Sequence, residues 1–204
     1  MAVNNLGHCH PKVVRAIQAQ AATLIHCSNY YHIPSQIELA ELLCSLSFAD
    51  RAFFCNSGAE ANEGLYKLAR RNGSAAGRHE IITLDGSFHG RTLGGIAATG
   101  QTKVKLGFAP PAGGFLNVPA RIECVVHATG RQTAAVLVEP IQGEGGVRTL
   151  PAEFLRALRA HCDEEKILLL YDEVQCGLGR TGRWCGWHAT GAADAVPDGI
   201  SWAK

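Results

Sequence analysis

Residues 153–173 read EFLRALRAHCDEEKILLLYDE, and this stretch decides the fold class. Phe154, Leu155, Leu158 and Cys162 recur at helical spacing behind Pro151, which predicts an amphipathic helix over Glu153 to Glu165. The run Ile167 to Tyr171 that follows is too short for a helix and lacks polar alternation, the pattern of a strand buried on both faces. Ala134 to Val138 is a second run of that kind upstream. Strand, helix, strand predicts a parallel pair joined by a crossover, and hence an α/β fold with a mainly parallel sheet covered by helices.

The rest of the chain extends this pattern. Ile81 to Leu84 and Ala52 to Cys55 read as further short strands. A helix is expected after Asn56-Ser57-Gly58, with Ala61, Leu65, Leu68 and Ala69 on its inward face. Nearer the start, Val13, Ile17, Ala21 and Ile25 behind Pro11 predict one helix. Ser35 and Glu38 have the spacing of a capping box for another, continued by Ile37, Ala40, Leu43 and Leu46. Gly107 to Gly130, with three prolines and few periodic apolar positions, reads mostly as loop.

Composition narrows the class. At 204 residues, 47% hydrophobic and 18% charged, the chain can build a sizeable core. A net charge of +1 with interspersed signs gives no field that favours nucleic acid or an anionic membrane, so small molecules are the expected partners. The opening MAVNNLGHCH has no apolar core of a secretion signal, and no apolar run reaches bilayer length. The eight cysteines form no C-x-x-C pair and read as reduced thiols of a cytoplasmic protein.

In parallel sheets chemistry collects at the carboxyl ends of strands. There Asn56-Ser57-Gly58-Ala59 can be a cradle of backbone N–H groups for a phosphate, or an ordinary capped turn. Phe88 and Arg91 can stack on a flat cofactor and pair with a carboxylate, or be a core ring and a solvated cation. Glu139-Pro140 opens into the glycine loop around Glu144, which can be a site wall or merely a flexible turn. Asp172 and Glu173 leave a fully apolar run, where a carboxylate is costly unless paired. Lys204 follows Trp202-Ala203, surroundings that help a lysine lose its proton and act as a nucleophile, or is simply a charged terminus.

Two other patterns lead nowhere. Gly177 to Gly182 matches G-x-G-x-x-G, but five residues separate it from the strand and a poor helix follows, so no dinucleotide fold is expected. His8, Cys9, His10 and Cys27 match no standard metal spacing, and no metal site is expected.

The motifs NNLGHCHP, FADRAFFCNSGAEANEGLYKLAR, FHGRT, VEPIQGEGGV, DEVQCGLGRTG and PDGISWAK occur in one order over most of the chain. Together they resemble the class III, or ω-amino, pyridoxal-phosphate-dependent aminotransferases, and most closely their acetylornithine branch. The resemblance implies the large domain of PLP-dependent transferase fold type I. Residues 1–34 lead into it, 35–204 form part of it, and its C-terminal part and the small domain lie outside the sequence. It also implies that Ser57, Gly58 and Ala59 hold the cofactor phosphate, and that Phe88 and Val174 cover the two ring faces. Asp172 then pairs with the ring nitrogen, Gln175 with the phenolic oxygen, and Lys204 anchors pyridoxal 5′-phosphate and moves the proton. Arg91 takes the α-carboxylate of the amine donor, and Glu144 acts as a gate between the two substrates. The implied reaction moves the δ-amino group of N2-acetylornithine to 2-oxoglutarate, a step of arginine biosynthesis, in a cytoplasmic homodimer. Sister reactions on ornithine, succinylornithine or 4-aminobutyrate, and a catalytically silent fragment, are the alternatives.

Overall fold

The structure, a computed structural model, describes residues 2–28 and 30–204. The chain divides into two compact units, one running up to Phe53 and including Lys204, the other spanning Phe54–Ala203. The first holds helices α1 (Pro11–Thr23) and α2 (Pro34–Ser45), neither of which has a fully buried residue. Both begin with proline in the first turn, where the missing N–H costs nothing. The expected capping box at Ser35 and Glu38 does not form. Pro34 starts α2 one residue earlier, Ile33 takes the cap position, and no side chain caps the helix.

The second unit opens with α3 (Gly58–Gly73), whose N-cap Ser57 accepts from the Glu60 N–H at 3.2 Å. β1 (Glu80–Leu84) follows, then α4 (Leu93–Ala98), α5 (Thr102–Lys105), β2 (Phe115–Val118) and α6 (Ile122–Ala128). After β3 (Thr133–Val138), the short β4 (Ile141–Gln142) and β5 (Arg148–Thr149) pair as an antiparallel ribbon. α7 (Ala152–Glu165), β6 (Leu168–Asp172) and β7 (Gly199–Ser201) complete the unit.

Five strands form one sheet in the order β2-β1-β3-β6-β7, and every pair is parallel. β3 is buried at all six positions, so both faces must be covered, which is why its sequence shows no alternation. Leu65, Tyr66 and Ala69 of α3 pack with Ile81, Ala135, Leu137 and Leu170. Val136 and Val138, pointing the other way, are equally buried. On α7, Phe154, Leu155, Leu158 and Cys162 are all buried, as their spacing predicts.

Some expectations are corrected or refined. Residues 52–55 form no strand: Phe53 is 77% exposed, and none of the five strands lies beside the run to take its backbone groups. The segment 107–130 is mostly loop, as expected, but it also contains β2 and α6, which the sequence did not show. Both are short, and Asn117 interrupts the apolar residues of β2, which hid them. Leu68 is 48% exposed, and the inward face of α3 instead runs through Asn62, Leu65, Tyr66, Ala69 and Gly73. That face is turned by two polar residues with a task at the sheet's end. Among the described residues, no helix is long and apolar enough to cross a membrane.

Candidate active site

Four chain segments meet at the carboxyl edge of the sheet: the start of α3 and the turns leaving β1, β3 and β6. Asp172, the last residue of β6, is 3% exposed. Its Oδ2 accepts from Asn62 Nδ2 of α3 at 2.6 Å and pairs with His89 Nδ1 at 2.8 Å. Its Oδ1 accepts from the Val174 N–H at 3.0 Å. Ser201 Oγ lies 3.4 Å from Oδ1 but 2.7 Å from Asn62 Oδ1, and its single proton goes to the nearer acceptor. Oδ1 therefore retains capacity for one further donor.

The neighbouring Glu173 is spent on structure. Its carboxylate accepts from the N–H groups of Gly186 and Trp187, both at 2.6 Å, and from Trp202 Nε1 at 3.2 Å. Burial pushes its carboxyl above the ordinary range, and the two backbone N–H groups oppose that shift. It thus fastens the turn around 186 and the segment after β7 to the end of β6.

At the head of α3, Ser57 Oγ donates to Glu60 Oε2 at 3.2 Å and accepts from Glu60 N, so its one proton is engaged. Glu60 also accepts from the Asn56 N–H at 2.7 Å, and its bonds to the Asn56 side chain and backbone hold its carboxyl below the ordinary value. The N–H groups of Gly58 and Ala59 precede the first carbonyl-bonded position, Ala61, and have no helical acceptor. Of the three predicted phosphate residues, Gly58 and Ala59 thus offer backbone donors, while the Ser57 hydroxyl faces Glu60.

Gly58 is required for close approach. A Cβ there would lie 2.6 Å from Val174 Cγ1 and 3.3 Å from the Ala203 methyl. The start of α3, the turn after β6 and the segment after β7 are thus in direct contact. Gly58→Ala is expected to lower stability by about 1–3 kcal/mol by displacing Val174, which a shift in the thermal melting midpoint would register.

Phe88 is half-buried, and its N–H donates to Glu139 Oε2 at 2.8 Å. The guanidinium carbon of exposed Arg91 lies 5.5 Å from its ring centroid, within cation–π range. At Gly90, a Cβ would lie 3.3 Å from the Ala59 methyl, which places this loop against the head of α3. The glycine loop after β3 is equally tight. A Cβ at Gly145 would sit 2.5 Å from the Gly86 carbonyl, and one at Gly143 would fall on the Gln175 amide. Gln175 Nε2 donates to Glu144 Oε1 at 3.2 Å.

Gly58, Ala59, Phe88, Arg91, Glu144, Asp172, Val174 and Gln175 are therefore brought to one edge of one unit. Lys204 is assigned to the other unit and directly follows Ala203 in the chain. The sequence reading gave no role to Asn62, His89 or Ser201. For Asn62 a signal exists: it is a polar residue three and seven positions before Leu65 and Ala69 on the buried face of a helix.

The donor set suits a flat, anionic, nitrogen-containing ligand: two free helix-start N–H groups for an anion, a half-exposed aromatic face, and a buried acid with one acceptor site left. Comparisons with known proteins agree in kind. Acetylornithine aminotransferase 1 of Bradyrhizobium diazoefficiens is 53% identical over 208 residues, covering all of this chain and 51% of that protein. N-acetylornithine aminotransferase from Stenotrophomonas maltophilia K279a superimposes with a TM-score of 0.81 at 38% identity, covering 100% of this chain and 51% of that one. Taurine:2-oxoglutarate aminotransferase from Bifidobacterium kashiwanohense, solved in complex with PLP and glutamate, gives a TM-score of 0.88 at 28% identity, covering 98% and 50%. The chain spans about half the length of the curated relatives it matches. Since the family model for class-III aminotransferases matches residues 1–204, the edge that gathers Gly58, Phe88 and Asp172 is that of a class-III aminotransferase, the family to which this chain belongs.

Proposed function

We propose that the chain carries most of the coenzyme site of an enzyme that transfers the δ-amino group of N2-acetylornithine to 2-oxoglutarate with pyridoxal 5′-phosphate. The observation that carries this is the convergence of the α3 start, Phe88 and Asp172 on one edge, joined to the 53% identity with an acetylornithine aminotransferase. When bound, the coenzyme supplies an aldehyde that carries the amino group and a ring that accepts the electrons released at the substrate carbon.

The residues divide the remaining work. The free N–H groups of Gly58 and Ala59 bind the phosphate, helped by the positive end of α3. Phe88 and Val174 hold the two ring faces, and Asp172 keeps a proton on the ring nitrogen through Oδ1. Gln175 binds the phenolic oxygen. Arg91 binds the substrate α-carboxylate, which leaves the distant amine to reach the reacting carbon. Lys204 would anchor the coenzyme and would carry the proton away from the substrate carbon on Nζ. Glu144 acts as the gate between amine and dicarboxylate substrates. On the same reading, residues 35–204 belong to the PLP-binding large domain behind a 1–34 lead-in, and the working enzyme is a cytoplasmic homodimer in arginine biosynthesis.

Initial rates with N2-acetylornithine, ornithine, succinylornithine and 4-aminobutyrate, each against 2-oxoglutarate, test the donor. The expected order puts N2-acetylornithine first, and a marked preference for 4-aminobutyrate or ornithine would overturn the assignment.

A further inference from the structure

We propose that Glu63 is a positioning residue for substrate recognition: from α3 its carboxylate accepts the Thr92 hydroxyl and so fixes the backbone that carries Arg91. The inference rests on the reading above in which Arg91 binds the substrate α-carboxylate, and it adds a residue to that reading.

Arg91 is exposed, its guanidinium lies over the Phe88 ring, and among the described residues no acid pairs with it. An arginine fork grips a carboxylate only when both are held in one geometry. With no ion pair to hold the head group, that geometry depends on where the backbone at 91 is placed.

Both chain neighbours of Arg91 are tied to α3. On one side Gly90 packs on Ala59, where an added Cβ would lie 3.3 Å from the methyl. On the other, Thr92 Oγ1 donates to Glu63 Oε1 at 2.6 Å. Ala59 and Glu63 are one helical turn apart and share a face of α3. Arg91 is thus strapped along that face at two points. The first is packing, and the second is a hydrogen bond to a charged acceptor, the stronger kind.

The start of α4 is shaped around the same carboxylate. A Cβ at Gly94 would lie 2.6 Å from Glu63 Oε1, and one at Gly95 would lie 2.9 Å from the Gly90 carbonyl carbon. Two successive glycines therefore let α4 close over the acid and the loop together. Thr92 Oγ1 also accepts from the Gly95 N–H at 2.9 Å, which caps α4. That cap does not involve Glu63, so removing the acid loosens the strap without uncapping the helix.

The test uses the coenzyme-loaded enzyme and N2-acetyl-L-norvaline, the substrate without its δ-amine. Its dissociation constant is measured by calorimetry beside the KM and kcat for N2-acetylornithine. In Glu63→Ala the dissociation constant and KM should both rise roughly tenfold to thirtyfold, with kcat changed less than about threefold. Glu63→Gln, whose amide oxygen can still accept from Thr92, should return both to within about threefold of the unmodified enzyme. On an Arg91→Ala background, which itself weakens the probe, adding Glu63→Ala should cost less than about a further twofold. If Glu63→Ala does not fold, Gly94→Ala supplies the same contrast, because its methyl would sit against Glu63 Oε1 and displace the carboxylate.

A purely structural role would lower the melting midpoint or the coenzyme occupancy and leave the affinity of the loaded fraction for the probe unchanged. That outcome, or a loss that adds in full to that of Arg91→Ala, overturns the role of Glu63 alone. Undiminished binding of the probe by Arg91→Ala overturns the substrate role of Arg91, and this proposal with it.

Discussion

In Asp172→Ala, turnover is expected to fall by roughly a thousandfold or more while the protein still folds. The acid is the charged group within reach of the proposed ring nitrogen, and removing a preorganised charge from a dry site costs on the order of 3–4 kcal/mol in the barrier. The stability loss is a separate effect. Asn62 Nδ2 keeps the His89 carbonyl as an acceptor, and the newly unpaired donors of His89 and Val174 cost about 1–3 kcal/mol each. Turnover and thermal unfolding measured on one preparation separate the two effects. A loss of activity no greater than the loss of folded protein would make Asp172 a structural residue.

Lys204→Ala is expected to abolish covalent retention of the coenzyme and to lower turnover roughly ten-thousandfold. Lys204 is the only lysine after Asp172; Lys12, Lys67, Lys103, Lys105 and Lys166 all precede it. Borohydride reduction followed by intact-mass measurement gives a direct reading, because the unmodified protein should gain the mass of the coenzyme and the variant should not. A variant that still gains that mass would show that another lysine holds the coenzyme.

The parallel sheet was legible because both of its faces are covered. In β3 and β6 every position can then be apolar, and the runs stand out with boundaries correct to within a residue. The same signal misled at residues 52–55, where an apolar run lacks a neighbouring strand. Pairing is a non-local property that no local window contains. β2 escaped notice for the opposite reason: Asn117 breaks a strand of only four residues.

Ser57-Gly58-Ala59, Phe88 and Asp172 could be singled out as candidates because each stands in a local motif at a strand end. His89, Asn62 and Ser201 could not, because their contacts at this edge span 83, 110 and 139 positions of sequence. The tight packing of Gly58 on Val174 belongs to the same class. A glycine in N-S-G reads as a turn until the residue it faces is known.

The pairing of Asp172 with Ser201 in β6 and β7 has a consequence during translation. A nascent chain that has not yet released residues 199–201 has the β6 edge uncovered and lacks the hydroxyl that engages Asn62. The β6 edge is therefore covered by β7 only after residues 199–201 have left the ribosome. Chains stalled before that point present an open parallel edge to chaperones and proteases.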